Sequence, residues 1–219
     1  MIYKTRGIVL NFIRYRETSI ITKIYTDLFG MQTYIVNGVR SKKSKNKIAL
    51  FQPLTLLDMV VYYNEKKDIN RLSEIRCEKP FNTIPLDQKK IAIAIFLTEI
   101  IYKTMKEESS NNELFEFIHL SISYLDEAED HFVNFHLQFL LKYAGFLGFA
   151  PTESEDSFIN LNTEEKTQIT QLLTSPYGND ITISNKQRRV LLESIIRFYS
   201  VHIENFNKLN SIKVLQEII

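Results

Sequence analysis

Positive side chains crowd one short segment of the chain, and their type and spacing suit the binding of a charged polymer. The segment from residue 37 to residue 47 contains no acid, and five cations fall within eight positions: Arg40, Lys42, Lys43, Lys45 and Lys47. Lysine and arginine at this density can neutralise phosphates and release their counterions. The same pattern is also typical of a solvated lysine-rich loop, because a basic run alone is weakly specific.

The distribution of charge along the chain points to a polyanion as the partner of the first half. The formal net charge is +1. Residues 1–80 contain 15 Lys and Arg against 7 Asp and Glu, whereas residues 81–219 contain 12 against 19. Such an asymmetry favours a first half that faces a polyanion and a second half that packs or contacts proteins.

The residue types that enzymes need are missing or wrongly spaced. The 6 glycines are scattered, and the sequence contains neither a glycine-rich phosphate loop nor a GxSxG nucleophile turn. His131 and His136 are five positions apart, which places them on different faces of a helix rather than as an i, i+4 metal pair. Cys77 is the single cysteine, and its predicted strand contains no histidine. We therefore expect no enzyme activity, no metal and no cofactor.

The composition predicts a folded, soluble protein of the cytoplasm. The 219 residues are 44% hydrophobic and include 15 Phe and 11 Tyr, which excludes global disorder. A lone cysteine cannot form an internal disulfide, so a reducing compartment is expected. Charged residues interrupt the first twenty positions, and the longest apolar stretch, residues 91–97, is too short to cross a bilayer.

Runs rich in β-branched residues in the first 80 residues predict five β-strands. The predicted strands are residues 7–15, 19–26, 31–36, 54–63 and 69–75. Their hairpin-length connections, and the lack of a helix long enough for a parallel crossover, favour a small antiparallel barrel. The predicted fold class is therefore α+β, with an N-terminal antiparallel five-stranded OB-fold barrel at residues 1–80 and an all-helical domain at residues 81–219.

Apolar residues at spacings of three and four predict helices throughout the second half. The predicted helices are residues 87–105, 111–125, 131–147, 163–173 and 184–206, with a final short helix from residue 211. Asp87, Thr163 and Ser184 are the predicted N-caps of three of these helices. Because Lys166 follows Thr163 at the third position, the helix at residues 163–173 is predicted to lack a full capping box.

Several motifs in the first 55 residues occur in the order and at the spacing of one known family. They are TRGIVL at residues 5–10, YRETS at 15–19, FG at 29–30, GVRSKKS at 38–44 and FQPL at 51–54. Together they resemble the RecO family of bacterial recombination mediators. A looser similarity to the helical half of that family covers residues 135–151 and 199–215, so the resemblance spans most of the chain.

The resemblance implies a DNA repair and recombination mediator that acts after DNA damage. Such a protein binds single- and double-stranded DNA, anneals complementary strands, and with RecR helps to load RecA onto strands covered by single-stranded-DNA-binding protein. The implied partners are DNA, RecR, the C-terminal tail of the single-stranded-DNA-binding protein and, indirectly, RecA, with no membrane. A bacterial cytoplasmic location at the nucleoid follows from the same resemblance.

The chain departs from the family pattern at two places. Many members carry a four-cysteine zinc module after the helix that corresponds to residues 131–147, but residues 151–178 contain no cysteine, which predicts a metal-free loop and helix there. Many members also have a basic pair just before the residue that matches Phe135, where this chain has Val133 and Asn134. A positive rim for an acidic protein tail could instead lie on the last long helix, although a solvated helix surface is the simpler interpretation. The residues of that rim are Lys186, Arg188, Arg189 and Arg197.

The resemblance favours DNA as the ligand of the basic segment and extends the predicted contacts along the first two strands. The predicted DNA-binding residues are Arg6, Arg14, Arg16, Lys23, Arg40, Lys42, Lys43, Lys45 and Lys47. Tyr15 and Tyr25 are candidate base-stacking residues, whereas Tyr34 and Phe51 are more typical of a barrel core. Two other classes stay open at this point: an OB-fold RNA-binding protein, and a protein adaptor whose basic loop meets an acidic partner.

Overall fold

A computed structural model describes residues 1–41, 47–105, 110–152, 158–204, 206 and 208–219. The first half forms a closed barrel of five strands: β1 (Ile2–Tyr15), β2 (Ser19–Thr26), β3 (Gly30–Val36), β4 (Leu56–Tyr62) and β5 (Asn70–Cys77). Around the barrel the strands follow the order β1-β2-β3-β5-β4, with β3 and β5 parallel and the other neighbours antiparallel. The predicted OB-fold barrel, followed by helices, is confirmed.

The length of β1 allows the barrel to close. The first half of this strand pairs with β4, beginning with Ile2 opposite Tyr62, and the second half pairs with β2. The register shifts between Val9 and Asn11, which marks a β-bulge. Because a bulge bends its strand, β1 turns from one neighbour toward the other at this point.

Close packing inside the barrel depends on a glycine. An added Cβ at Gly7 would lie 2.5 Å from Met59 Cε and 2.6 Å from Ile24 Cγ2. The buried core of the barrel consists of Val9, Ile20, Ile24, Tyr34, Val36, Val39, Phe51, Leu57, Met59, Val61 and Leu72. Tyr34 and Phe51 are therefore core residues, as the sequence predicts.

In the rest of the described chain the regular structure is helical. A short 3-10 helix (Lys47–Phe51) precedes β4. The α-helices are α1 (Gln88–Thr104), α2 (Asn112–Glu127), α3 (Phe135–Phe146), α4 (Thr163–Thr174), α5 (Asn185–His202) and α6 (Ile212–Ile218). Nearly all of α3 is buried, as expected for the central helix of an all-α core.

Side-chain caps explain where two helices begin, and both match the predicted caps. Asp87 Oδ1 accepts hydrogen bonds from the backbone N–H groups of Lys89 and Lys90 at the start of α1. Ser184 caps α5 and forms a capping box with Gln187.

The predicted N-cap of α4 is wrong by one residue, although the helix begins at residue 163 as predicted. Asn162, not Thr163, is the N-cap, and its side chain accepts a hydrogen bond from the backbone N–H of Glu165. The shift places Glu165 rather than Lys166 at the third helical position, so a capping box forms after all.

Two predicted helix ends are also wrong for backbone reasons. The third helix is predicted from residue 131, but α3 begins at Phe135. His131 cannot belong to it, because its φ of +53° is left-handed. The helix that is predicted to reach residue 206 ends at His202, because Ile203 is extended.

The described chain divides into two compact units, residues 1–82 with 98–122 and residues 83–97 with 123–219. Helices α1 and α2 are each divided between the two units. The domain boundary at residue 80 marks the change from strands to helices and stays a prediction. Within the described residues, every helix is too short or too polar to cross a membrane.

Candidate nucleic-acid interface

The turn between β1 and β2 and the exit of β3 lie together at one end of the barrel. Arg40 donates its backbone N–H to the Thr18 carbonyl oxygen over 2.9 Å, and its guanidinium Nη1 donates to the Arg16 carbonyl oxygen over 3.2 Å. Ser19 Oγ donates to Asn37 Oδ1 over 3.0 Å. These bonds bring two predicted DNA-binding arginines, Arg16 and Arg40, to the same end of the barrel.

Four of the predicted cations remain accessible in the described chain. Arg14 and Arg16 are exposed, Arg40 is half-buried, and Lys47 is exposed at the start of the 3-10 helix. Among the described residues, none of the four forms an ion pair with a carboxylate. Their charge is therefore available to an external anion. The predicted residues Lys42, Lys43 and Lys45 lie outside the described residues.

Tyr15 directly precedes Arg16, and the Arg16 guanidinium covers part of its ring. The guanidinium carbon of Arg16 lies 5.2 Å from the centre of the Tyr15 ring, a cation–π distance. The ring is half-buried, so part of its surface stays accessible. Base stacking by Tyr15 stays a prediction.

Arg6 makes its strongest interactions within its own chain. Its Nε donates to Asp27 Oδ2 over 3.1 Å, its Nη2 donates to Glu116, and its guanidinium carbon lies 4.8 Å from the centre of the Phe115 ring. The hydrogen bond with Arg6 lowers the pKa of Glu116, and the bond with Glu116 is the main cause that raises the pKa of Arg6. Because two carboxylates already neutralise this guanidinium, the interface that we propose below excludes Arg6.

Tyr25 is a core residue of the first unit. The side chain is 2% exposed, and its hydroxyl donates to the Asn111 carbonyl oxygen over 3.2 Å. Burial raises the pKa of Tyr25 to about 12. The ring packs against Phe115, with 5.9 Å between centroids. No face of the ring is open to a base, so the proposed interface also excludes Tyr25.

Lys23 occupies the outer surface of β2 and is half-buried. Its Nζ lies 5.7 Å from the centre of the Tyr102 ring of α1. Its strand neighbours are Asn11 on β1 and Thr33 on β3, neither of which is charged. Lys23 therefore keeps a cation on the outer face of the barrel.

A second group of cations, in the turn between β4 and β5 and at the start of β5, is absent from the sequence predictions. Lys66, Lys67 and Arg71 are exposed there, next to the exposed ring of Tyr62. Glu65 and Asp68 alternate with these cations in the sequence, which hides the group from a search for uninterrupted positive runs. An aromatic residue at the end of a predicted strand, followed by spaced cations, is the signal that could have identified it.

A metal site is not formed by the described residues. They contain no group of three or more His, Cys, Asp or Glu side chains placed to hold an ion. His136 is buried in α3, and burial lowers its pKa to about 3, so it is neutral near pH 7. His119 instead places Nε2 2.9 Å from Glu78 Oε1. The expectation that the chain needs no metal or cofactor stays a prediction.

Comparison with known proteins agrees with this architecture. Residues 1–81 match the family model described as "Recombination protein O N terminal", and residues 85–167 match the one described as "Recombination protein O C terminal". The chain belongs to the RecO family. Its resemblance to that family, predicted from the motifs, is thereby confirmed.

Relatives in this family match the chain over nearly its whole length. A protein of Phocaeicola vulgatus named "DNA repair protein RecO" is 35% identical over 239 residues, which cover 100% of this chain and 99% of the relative. Proteins of the same name from Flavobacterium psychrophilum and Bacteroides fragilis are each 34% identical, over 98% and 100% of this chain and 98% and 99% of the relatives.

One residue of the predicted positive rim, Arg188, is buried within the helical part of this RecO-family chain. Arg188 is buried, and its Nε donates to Asn134 Oδ1 over 3.0 Å while Nη2 donates to the Ile183 carbonyl oxygen over 3.0 Å. Burial lowers the pKa of Arg188. The prediction that Arg188 forms part of an exposed positive rim is therefore wrong. Asn134 is one of several partners of this buried guanidinium, together with Asn185 and the Ile183 carbonyl oxygen.

Proposed function

We propose that this chain is a DNA repair and recombination mediator that binds DNA through the basic end of its barrel. The observation that carries the proposal is the placement of Arg14, Arg16 and Arg40 at one end of an OB-fold barrel, with no carboxylate partner among the described residues. Family membership and the names of the relatives support the same role in DNA repair.

The binding is electrostatic and independent of sequence. Guanidinium groups can contact a phosphate with two parallel hydrogen bonds, whereas the lysines of the basic segment act as point charges. Each phosphate that is neutralised releases a counterion, so affinity falls as the salt concentration rises. This mode does not distinguish single strands from duplexes strongly, and we propose that the chain binds both.

Annealing of complementary strands follows from the same contacts. Two strands held by their phosphates present free base edges, and the cations reduce the repulsion between the two backbones. The protein then favours pairing without competing for the bases. No bond is made or broken in this process, so the proposal requires no catalytic residue.

The acidic second half is the proposed site of protein contacts. Residues 81–219 carry an excess of seven negative charges and therefore attract DNA weakly. We propose that the chain acts with RecR, binds the C-terminal tail of the single-stranded-DNA-binding protein, and so helps to load RecA onto covered strands.

The proposal is tested by a salt titration of DNA binding combined with an annealing assay. The test variant replaces Arg40, Lys42, Lys43, Lys45 and Lys47 by Ala. The control variant replaces five exposed cations of the second unit by Ala: Lys89, Lys166, Lys186, Arg197 and Lys213. We expect the test variant to bind DNA more weakly. On single strands its salt dependence should be flatter by about 0.7 in logarithmic slope for each phosphate that it no longer neutralises.

Two results would contradict the proposal. If the two variants bind DNA and accelerate annealing equally, the basic segment is not the DNA-binding surface, and an adaptor role with an acidic partner is favoured. If the wild-type chain does not accelerate DNA annealing at low salt but binds structured RNA tightly, an RNA-binding role is favoured instead.

A further inference from the structure

Tyr62 and Arg71 are direct neighbours on the outside of the barrel. Tyr62 of β4 lies opposite Arg71 of β5. Residues in such a position have Cβ atoms about 4.5–5.5 Å apart and share one face of the sheet. The Tyr62 ring is 45% exposed, and within the described part of the chain its side chain makes no hydrogen bond and no ring contact. An aromatic face and a cation are therefore presented to solvent side by side.

A cavity of about 430 Å³ opens beside this pair. Its charged lining side chains are those of Lys67 and Arg71, and its exposed apolar lining includes Tyr62 and Ile69. None of its lining residues is acidic, and in the described chain neither Lys67 nor Arg71 has an ion-pair partner. The cavity thus combines an apolar surface with uncompensated positive charge.

A neighbouring cavity of the same barrel shows that this combination is not general. That cavity, of about 530 Å³, is lined by cations and carboxylates together. Arg76 Nε lies 2.9 Å from Asp58 Oδ2, and Arg6 is paired with Asp27. Both of its arginines are therefore neutralised internally, and it lacks an aromatic lining residue.

We propose that the cavity beside Tyr62 and Arg71 binds single-stranded DNA, with a base stacked on Tyr62 and the adjoining phosphates on Lys67 and Arg71. The inference rests on the proposed function and adds a second, strand-selective contact to it. A single strand is the ligand because a base in a duplex is already stacked between its neighbours, whereas an unstacked base can lie on an aromatic ring.

An apolar path connects this site with the basic end of the barrel. Arg71 pairs with Ile35, Ile35 with Ile21, and Ile21 with Ile13, which is 58% exposed and precedes Arg14. Three strand spacings of about 4.8 Å make this path roughly 14 Å long. A strand that crosses it would contact phosphate-binding groups at both ends and apolar side chains between them, which is within the reach of one OB-fold.

A fluorescence experiment tests the stacking directly. The chain contains no tryptophan, so Tyr62→Trp introduces a single indole at the site. We expect an unstructured oligothymidylate to quench its fluorescence and a duplex of equal length to bind without comparable quenching. Leu28→Trp, at an exposed position in the turn between β2 and β3, is the control and should be quenched by neither.

Affinity measurements test the energetic contribution. We expect Tyr62→Ala to weaken single-strand binding by about 5- to 150-fold and to leave duplex binding unchanged, and Tyr62→Phe to retain single-strand binding. Replacing Lys67 and Arg71 by Ala should flatten the single-strand salt dependence by about 0.7 in logarithmic slope for each. Lys4→Ala combined with Arg76→Ala, which alters the neighbouring cavity, should change neither quantity.

The outcomes separate this inference from the proposed function. If the wild-type chain binds no DNA, the proposed function fails and this inference fails with it. If the wild-type chain binds DNA but Tyr62→Ala affects single strands and duplexes alike, or affects neither, then only this inference is overturned. Quenching of the introduced indole by an acidic peptide and not by DNA would also overturn it, because the face would then be a protein-binding site.

Discussion

The Arg40 guanidinium donates a hydrogen bond to the carbonyl oxygen of Arg16 over 3.2 Å. The backbone N–H of Arg40 adds a second link to the same turn by donating to Thr18. Two cations that are 24 residues apart in the sequence are thus fixed at one end of the barrel, and the exit of β3 is fastened to the turn between β1 and β2.

The role of Arg16 can be tested without disturbing the turn that contains it. Arg16 has a φ of +50°, a left-handed conformation that glycine adopts readily. We expect Arg16→Gly to keep the free energy of unfolding within about 1 kcal/mol of the wild type while it weakens DNA binding and flattens the salt dependence. Arg16→Lys should keep most of the salt dependence. Equal DNA binding by Arg16→Gly and the wild type would remove Arg16 from the interface.

Glycine at position 7 is predicted to be required by the barrel core. The methyl group of Gly7→Ala would collide with Met59 and Ile24, and overpacking of this kind costs typically about 1–3 kcal/mol. Gly145→Ala is the matched control, because its nearest neighbour would be 3.9 Å away and alanine favours a helix. Urea unfolding of both variants should show a loss of stability for Gly7→Ala and none for Gly145→Ala.

The ion pair of Arg6 and Glu116 predicts a pH-dependent contribution to stability. The pKa of Glu116 is lowered in the folded chain, chiefly by its hydrogen bond with Arg6. The contribution is therefore present above the ordinary carboxyl pKa and is lost as the pH falls through the lowered value. We expect Glu116→Gln to unfold more easily than the wild type at about pH 7 and to approach it at about pH 3. A difference of the same size at both pH values would contradict this assignment.

The capping box of α4 predicts different effects for two adjacent substitutions. Asn162→Ala removes the side chain that accepts the Glu165 N–H and should destabilise the second unit by about 0.5–2 kcal/mol. Thr163→Ala changes an exposed first-turn residue and should be neutral or slightly stabilising, since alanine has the higher helix propensity. Thermal unfolding of the two variants is the measurement. A larger effect of Thr163→Ala would restore it as the cap.

Local patterns in the sequence are sufficient to predict the barrel and most of the helices. The strand predicted at residues 19–26 has those bounds in the structure, because it is rich in β-branched residues and is buried or half-buried on both of its faces. Asp87 and Ser184 are recognisable as caps, since capping depends on residues within three positions of each other.

The environment of individual site residues cannot be predicted in the same way. Arg6 is neutralised by Glu116, which lies 110 residues further along the chain, and Tyr25 is covered by a helix that the local pattern cannot relate to its strand. Only the fold brings such partners together, so charge counts in the sequence overstate the cations available to DNA. Conversely, the pairing of Tyr62 with Arg71 depends on strand register, and the two residues are separated by the whole turn between β4 and β5 in the sequence.

Residues 98–122 belong to the same compact unit as the barrel, so a fragment that contains the whole of this unit cannot end at the last strand. A fragment that stops at the last strand would lack Phe115 and Asn111. The Tyr25 ring would then be exposed to water, and its hydroxyl would lose its hydrogen-bond acceptor. Such a fragment would expose a hydrophobic patch and tend to aggregate. Expression of the strands alone should therefore give poorly soluble material, whereas a fragment extended through residue 122 retains these partners.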